Sequence, residues 1–182
     1  MVGRDPLVDQ TFLRHMSTHH DQGILLASIA AKKANDPHLR ALSKLMVASQ
    51  RGEAKIFARW WASWFGEPMQ VCSAEERESM PGLLDTADVA KLAAETSSFD
   101  RLFVGLMTKH HKGAVALADS EVSRGSDPRL RIMAHAIRHE QQGEIALMRG
   151  VEGRLAVTNA FRNMFTDNVN PQWDGTLDRD AR

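Results

Sequence analysis

Residues 9–20, DQTFLRHMSTHH, return 91 positions later as residues 100–111, DRLFVGLMTKHH. The two stretches share the pattern Asp-x-x-Phe-x-x-x-Met-x-x-His-His. Sliding the chain on itself by this offset aligns residues 9–56 with 100–147 without a gap, and 14 of the 48 pairs are identical. Unrelated sequences would share about 3 at typical residue frequencies. The chain therefore contains an internal repeat, and the repeated unit decides the fold.

Each unit predicts a helix, a turn and a second helix. Apolar residues recur at three- and four-residue steps on both sides of an Asp-Pro pair, Asp36-Pro37 in one unit and Asp127-Pro128 in the other. Asp accepts hydrogen bonds from the free amides of a first helical turn, and Pro fits the first helical position. We therefore predict two antiparallel hairpins, within 5–66 and 97–150, that pack as an all-α four-helix bundle.

Residues 67–96 connect the two units and are long for a loop in a bundle. They contain a capping box, Ser73-x-x-Glu76, which predicts a short helix. The Pro81-Gly82 turn follows, and the pattern predicts a second short helix from Thr86 to Glu95. One long crossover of this kind permits a ferritin-like topology.

Length and composition indicate one domain, residues 1–182, whose C-terminal extension, 151–182, contains a weak helix signal over Leu155–Phe165. The 23 basic residues balance the 23 acidic ones, so no global field favours nucleic acid or an anionic membrane surface as a partner. No apolar run approaches the roughly 20 residues that a membrane helix needs. The first nine residues lack the features of a signal peptide, so we expect a cytoplasmic chain or one written without its export segment. Cys72 is the only cysteine, which leaves no internal disulfide and no multi-thiolate metal site.

Polar residues on the buried stripes are the informative feature, because a helical bundle normally buries apolar side chains there. His19 and His110 fall on the stripes, and His20 and His111 flank them. Glu53 and Glu144 also fall on buried stripes. Counting outward from each turn predicts that His19 lies level with Glu53, and His110 with Glu144.

Two interpretations of these pairs remain open at this point. A buried carboxylate needs a partner, and a hydrogen-bonded His–Glu network that locks the helix register would supply one. A metal ion held by imidazole and carboxylate would supply another, with the Met16 and Met107 thioethers nearby if the metal is soft. A redox-active catalytic site is a third and weaker interpretation.

Other histidines are weaker candidates. His135 and His139 have the i, i+4 spacing that suits metal capture on a helix, but unit one has no equivalent pair. His15 lies one turn before His19 and could add a ligand, although Leu106 stands there in unit two. Catalytic motifs for phosphate, acyl or zinc-hydrolase chemistry are absent, and Gln-x-x-Glu replaces the Glu-x-x-His of di-iron bundles. These observations favour a protein that is not an enzyme.

The doubled Asp-x-x-Phe-x-x-x-Met-x-x-His-His motif, with its trailing Gln-x-x-Glu, resembles the domain-of-unknown-function 305 family over roughly residues 5–150. The resemblance implies a ferritin-like four-helix bundle that is secreted or periplasmic, with copper bound in some members and linked to copper tolerance. The implied ligands are Met16, His19, His20, Met107, His110 and His111. The turn after Pro81-Gly82, often Met-rich in similar proteins, here reads Leu83-Leu84.

We therefore expect a non-catalytic bundle that binds a transition metal, copper first, for sequestration, delivery or sensing. The alternative is a structural or partner-binding bundle whose buried His–Glu pairs are internal struts. Neither nucleic acid nor membrane insertion of this chain is expected. The candidate metal ligands are Met16, His19, His20, Glu53, Met107, His110, His111 and Glu144.

Overall fold

Both Asp-Pro pairs begin a helix in the computed structural model, which describes residues 6–150. Asp36 caps its helix by accepting the backbone N–H of His38, and Asp127 accepts those of Arg129 and Leu130. The helices in chain order are α1 (Pro6–Lys33), α2 (Pro37–Phe65), α3 (Ala74–Ser79), α4 (Thr86–Ala94), α5 (Phe99–Arg124) and α6 (Pro128–Met148).

Helices α1, α2, α5 and α6 form the predicted four-helix bundle. Helix α1 packs against α2, α5 packs against α6, and the two hairpins meet mainly along α1 and α5. Asp9, near the start of α1, contacts residues 126–127 just after α5, and Asp100 contacts residues 35–36 just after α1. Helices α1 and α5 are therefore antiparallel, and the connection from α2 to α5 must cross the length of the bundle. A single long crossover is the connectivity of ferritin-like bundles.

The crossover contains the two predicted short helices. Ser73 and Glu76 form the predicted capping box at the start of α3, and α4 begins at the predicted Thr86. The Pro81-Gly82 turn lies directly against α5: a Cβ added at Gly113 would be 2.0 Å from the carbonyl oxygen of Pro81. A glycine at position 113 is what permits this approach, and Gly82 itself has φ 74°, which favours glycine.

Two apolar clusters fill the bundle, and buried polar residues lie between them. The first cluster includes Phe12, Met16 and Phe57, and the second includes Leu26 and Met107. Along α1, the histidines at 19 and 20 fall between the two clusters. We call this polar band the central layer; it comprises the buried His19, His20, Gln50, His110, His111, Gln141 and Glu144 together with the half-buried Glu53 and Glu140.

Among the described helices, none combines the length and apolar character needed to cross a membrane. The C-terminal extension, 151–182, and its expected helix over Leu155–Phe165 lie outside the described residues.

Candidate functional site

His19 and His110 meet at the crossing of α1 and α5. Their ring centroids are 3.8 Å apart and their planes are inclined by 41°. Both side chains are buried, as are those of His20 and His111. The two residues occupy equivalent positions of the 91-residue repeat, so this contact lies on the pseudo-two-fold axis that relates the hairpins. All four imidazoles therefore point into the bundle.

The hydrogen bonds of His19 and His110 determine their tautomers. Nε2 of His19 donates to the carbonyl oxygen of Pro81, and Nε2 of His110 donates to the carbonyl oxygen of His19, each at 3.1 Å. A carbonyl only accepts, so Nε2 carries the proton in both rings. Burial is the main cause that lowers the pKa of His19 to about 3, and it also holds the pKa of His110 well below its usual value. Both rings are therefore neutral at pH 7.

A neutral ring with its proton on Nε2 has a free lone pair on Nδ1. In both His19 and His110 this atom is buried and has no hydrogen-bond partner. Such unpartnered buried nitrogens are rare in folded proteins and call for a specific explanation. The central layer thus contains two adjacent imidazoles with basic nitrogens shielded from water.

His20 and His111 make the contacts with the glutamates. Nε2 of His20 lies 2.7 Å from Oε2 of Glu53, and Nε2 of His111 lies 2.7 Å from Oε2 of Glu144. The sequence predicted that His19 and His110 lie level with these glutamates, but the residue that contacts each glutamate is the next one along the chain, His20 or His111. Adjacent residues differ by only 1.5 Å in height but by about 100° around the helix, so the second histidine faces the hairpin partner and the first faces the other hairpin.

Glu140 is a third carboxyl group of the central layer, and the sequence reasoning missed it. Ser49 donates a hydrogen bond to Glu140, and these two residues are also equivalent positions of the repeat. Burial raises the pKa of Glu140 to about 7, and burial followed by the charge of Glu53 raises the pKa of Glu144 to about 8. The i, i+4 spacing of Glu140 and Glu144, which places both on one face of α6, was the available signal.

Two glutamines complete the layer. Gln50 and Gln141 are each 1% exposed, and neither the Nε2 nor the Oε1 of Gln50 has a hydrogen-bond partner. A Cβ added at Gly23 would lie 2.2 Å from Oε1 of Gln50 and 3.0 Å from Cε1 of His110. Gly23 therefore makes room for this amide beside the paired rings of His19 and His110.

The two methionines of the repeated motif are fully buried at the edges of the central layer. Met16 packs in the cluster with Phe12 and Phe57, and Met107 packs in the opposite cluster. Each lies three residues before the first histidine of its pair, close to one helical turn away.

The donor atoms of the central layer suit a transition metal: neutral imidazole nitrogen, carboxylate oxygen and neighbouring thioether sulfur. They are not gathered in advance around one point. Within residues 6–150, one group of at least three His, Cys, Asp or Glu residues has its donor atoms within 4.8 Å of one another. That group is His15, Cys72 and Glu76, and it lies outside the central layer. Metal binding by the central histidines would therefore require side-chain rotation or a contribution from the thioethers.

His135 and His139 lie near each other on α6, with their Nε2 atoms 3.3 Å apart. The guanidinium of Arg138 lies 3.3 Å from the same Nε2 of His139 and also pairs with Asp119. Because this fixed positive charge repels a cation, the structure disfavours the pair as a metal site.

Residues 9–152 match the sequence pattern of a family described as "Domain of unknown function (DUF305)". No curated protein sequence gives a match.

Solved structures give a consistent result. The Cu(I)-bound form of CopM is 28% identical with a TM-score of 0.67, covering 79% of this chain and 94% of that one. A DUF305 fragment from Deinococcus radiodurans is 29% identical with a TM-score of 0.72, covering 82% and 97%. A DUF305 protein from Streptomyces coelicolor, described as a candidate secreted protein, is 26% identical with a TM-score of 0.71, covering 79% and 89%. CopM structures with Cu(II) and Ag are similar to this chain as well.

Proposed function

The chain belongs to the DUF305 family, and on that premise we propose that its central layer binds a transition metal ion, copper first, without catalysing a reaction. The role would be sequestration, delivery or sensing of the ion. The proposed ligands are drawn from Met16, His19, His20, Glu53, Met107, His110, His111 and Glu144.

The observation that carries the proposal is the pair of unpartnered Nδ1 atoms of His19 and His110. A metal ligand must be deprotonated, and these rings are held neutral by burial with the proton on the other nitrogen. Backbone carbonyls orient both rings through Nε2, which is the outer-shell arrangement common for metal-binding histidines.

The His20–Glu53 and His111–Glu144 pairs support the same conclusion. An ionised carboxylate bonded to one ring nitrogen orients the imidazole and makes the other nitrogen a better donor. In His111 that other nitrogen, Nδ1, is buried and has no hydrogen-bond partner. Because the pKa of Glu144 is raised to about 8, metal binding by His111 would displace the carboxyl proton of that pair.

Copper is preferred among transition metals for two reasons. Imidazole suits copper in either oxidation state, and thioether sulfur favours Cu(I). CopM, which shares the fold at 27–28% identity, has been solved with Cu(I), Cu(II) and Ag. We extend the proposal to location: by its similarity to the Streptomyces protein, this chain would act outside the cytoplasm.

A strut function is the second candidate, and the 2.7 Å His–Glu pairs favour it. Each pair links the two helices of one hairpin, so it would hold their register without any metal. Removing one partner from such a buried pair strongly destabilises a protein, typically by about 3–5 kcal/mol.

Titration of Cu(I), Cu(II) and Zn(II) into the metal-free chain separates the two candidates. The titrations are made in a Cys72→Ser background, so that the single thiol cannot bind copper. We expect saturable copper binding that weakens in His19→Ala and His110→Ala, while the exposed His38→Ala serves as the matched control. Bound copper should also stabilise the fold, by roughly 2.7 kcal/mol at one hundred times its dissociation constant.

The strut candidate predicts a different outcome of the same titrations. The Cys72→Ser chain would show no saturable copper binding, and the histidine variants made in it would lose stability in urea without any effect of copper. That result would overturn the metal proposal.

A further inference from the structure

A second group of metal-binding side chains lies where the crossover meets α1, outside the central layer. A ring nitrogen of His15, Sγ of Cys72 and a carboxylate oxygen of Glu76 all lie within 4.8 Å of one another. Cys72 is buried, whereas His15 and Glu76 are only half-buried, so the group is open to solvent on one side.

Hydrogen bonds from α1 hold residues 69–76 in place against that helix. The Arg14 guanidinium donates to the carbonyl oxygens of Gln70 and Val71, at 3.3 and 3.4 Å. One turn further along α1, the Thr18 hydroxyl donates to Sγ of Cys72 at 3.2 Å. The thiol is thus fixed in position by a residue three places after His15.

The carboxylate of Glu76 is also fixed, and only one of its oxygens is used. Oε2 accepts the backbone N–H of Ser73 in the capping box and a hydrogen bond from Arg14, both at 2.7 Å. Oε1 lies 3.5 Å from Nε2 of His15. This oxygen therefore faces the histidine while its neighbour anchors the side chain.

The spacing of these atoms fits a small tetrahedral site. Bonds of about 2.0–2.3 Å to a tetrahedral zinc ion put neighbouring ligand atoms roughly 3.3–3.8 Å apart. The His15–Glu76 distance of 3.5 Å already lies in that range, and the thiol needs to move by about an ångström at most.

We propose that His15, Cys72 and Glu76 bind a zinc-type divalent cation as a second metal site, independent of the central layer. Zn(II) accepts imidazole, thiolate and carboxylate ligands together, and three protein ligands leave a fourth position for water. Binding forms an S–metal bond and breaks the S–H bond, so one proton is released to solvent for each ion bound.

The charges of the site allow such an ion. The Arg14 guanidinium opposes a cation, but its charge is balanced by Glu76, and the thiolate adds a further negative charge. The site is also specific to one hairpin, because Leu106 stands at the position equivalent to His15 and the chain has no second cysteine. It therefore does not depend on the repeat that builds the central layer.

Co(II) absorption tests the proposal directly. Co(II) bound by a thiolate gives a sulfur-to-cobalt charge-transfer band, and since Cys72 is the only cysteine, any such band reports this site. In the reduced chain, kept so by a thiol-free reductant, we expect the band to saturate at one equivalent and to be abolished when Zn(II) displaces the cobalt. A pH-stat titration should record one proton released per ion.

Four variants complete the test. Cys72→Ser should abolish the band. His15→Leu, which copies unit two, and Glu76→Gln, which retains a capping-box residue, should each weaken binding by at least the roughly 10–100-fold typical for loss of an outer-shell partner. His110→Ala should leave the band unchanged, which separates this site from the proposed copper site.

Two outcomes would overturn the proposal. One is the absence of a charge-transfer band in the parent chain at stoichiometric Co(II). The other is a band of unchanged strength and affinity in both His15→Leu and Glu76→Gln, which would mean that the thiol binds metal without them. Far-ultraviolet circular dichroism of each variant identifies loss of fold, and the absence of a band in the parent chain overturns the proposal whether or not a variant folds.

Discussion

The carboxylate of Asp9 accepts the backbone N–H of Asp127 at 3.1 Å, and that of Ser126 at 2.7 Å. Asp100 does the same for the backbone amides of residues 35 and 36, each at 2.9 Å. The first helix of each hairpin therefore satisfies the turn of the other hairpin. This reciprocal contact gives a physical reason why an aspartate begins both copies of the repeated motif.

Replacing either aspartate should destabilise the bundle. Asp9→Ala or Asp100→Ala leaves two backbone amides without their acceptor, and we expect each to lower the free energy of unfolding by about 1–3 kcal/mol in urea titrations. Asp21→Ala, an exposed position on α1, is the matched control and should change it by no more than about 0.5 kcal/mol. Equal effects at positions 9 and 21 would contradict the assignment.

The helices and turns were predictable because their determinants are local. Asp36 and Asp127 cap the helices that follow them, as their Asp-Pro context predicts. Ser73 likewise forms the capping box that its spacing from Glu76 predicts. The repeat then predicted the pairing of hairpins, since equivalent units meet most simply about a two-fold axis.

The contacts of the site were less predictable because they depend on directions between helices. Position along the chain gives the height of His19 and His20 but not which neighbour each faces, so it could not show that the second histidine of each pair contacts the glutamate. The crossover also breaks the symmetry of the repeat within residues 6–150: His19 donates to Pro81 of the crossover, whereas His110 donates to His19 of α1.

Gly113→Ala should be strongly destabilising. Its new Cβ would lie 2.0 Å from the Pro81 carbonyl oxygen and 2.6 Å from Cα of Gly82, and backbone cannot move aside as a flexible side chain can. We expect a loss of about 1–3 kcal/mol or more in the free energy of unfolding. Because Pro81 also accepts the hydrogen bond of His19, displacement of this turn should weaken copper binding as well.

Gly105→Ala, on the same helix, is the control for that substitution. No heavy atom lies within 4 Å of a Cβ built there, and the position is exposed. Alanine should therefore stabilise α5 by about 0.5–1 kcal/mol through its helix propensity. Loss of stability in both variants would show that the close approach to Pro81 is not the cause.

Glu121 should make the stability of the bundle fall as the pH rises. Its carboxyl oxygens are buried, and burial, followed by the nearby charge of Asp9, raises its pKa to about 8 from an ordinary value of 4.5. Between those values the folded chain holds one proton more than the unfolded chain, so this contribution is present below pH 4.5 and is lost as the pH rises through 8.

The Glu121→Gln variant should not show this fall in stability with rising pH, because glutamine does not titrate. We expect the variant to gain more than about 1 kcal/mol of unfolding free energy relative to the parent chain between pH 5 and pH 9, since each pKa unit corresponds to about 1.4 kcal/mol. Asp9→Asn should reduce the pH dependence of the parent by removing the neighbouring charge. Parallel stability curves for the parent and Glu121→Gln would contradict the raised pKa.

The methionines of the repeated motif should distinguish Cu(I) from Cu(II). Met16→Leu and Met107→Leu keep the buried volume and should cost less than about 1.5 kcal/mol of stability. If the thioethers bind metal, both variants should lose affinity for Cu(I) and for Ag(I) more than for Cu(II), because soft sulfur favours the monovalent ions. Met46→Leu, which packs in the same cluster as Met107, should leave all three affinities unchanged.

Comparing the loss of Cu(I) affinity in Met16→Leu with that in Met107→Leu indicates where the ion lies. Met16 and Met107 are equivalent positions across the pseudo-two-fold axis, so an ion on that axis should lose Cu(I) affinity equally when either is replaced. The hydrogen bonds of the adjacent histidines are not equivalent, because one ring is held by the crossover and the other by α1. A loss confined to one methionine would therefore place the ion off the axis, whereas no loss in either variant would restrict the ligand set to imidazole and carboxylate.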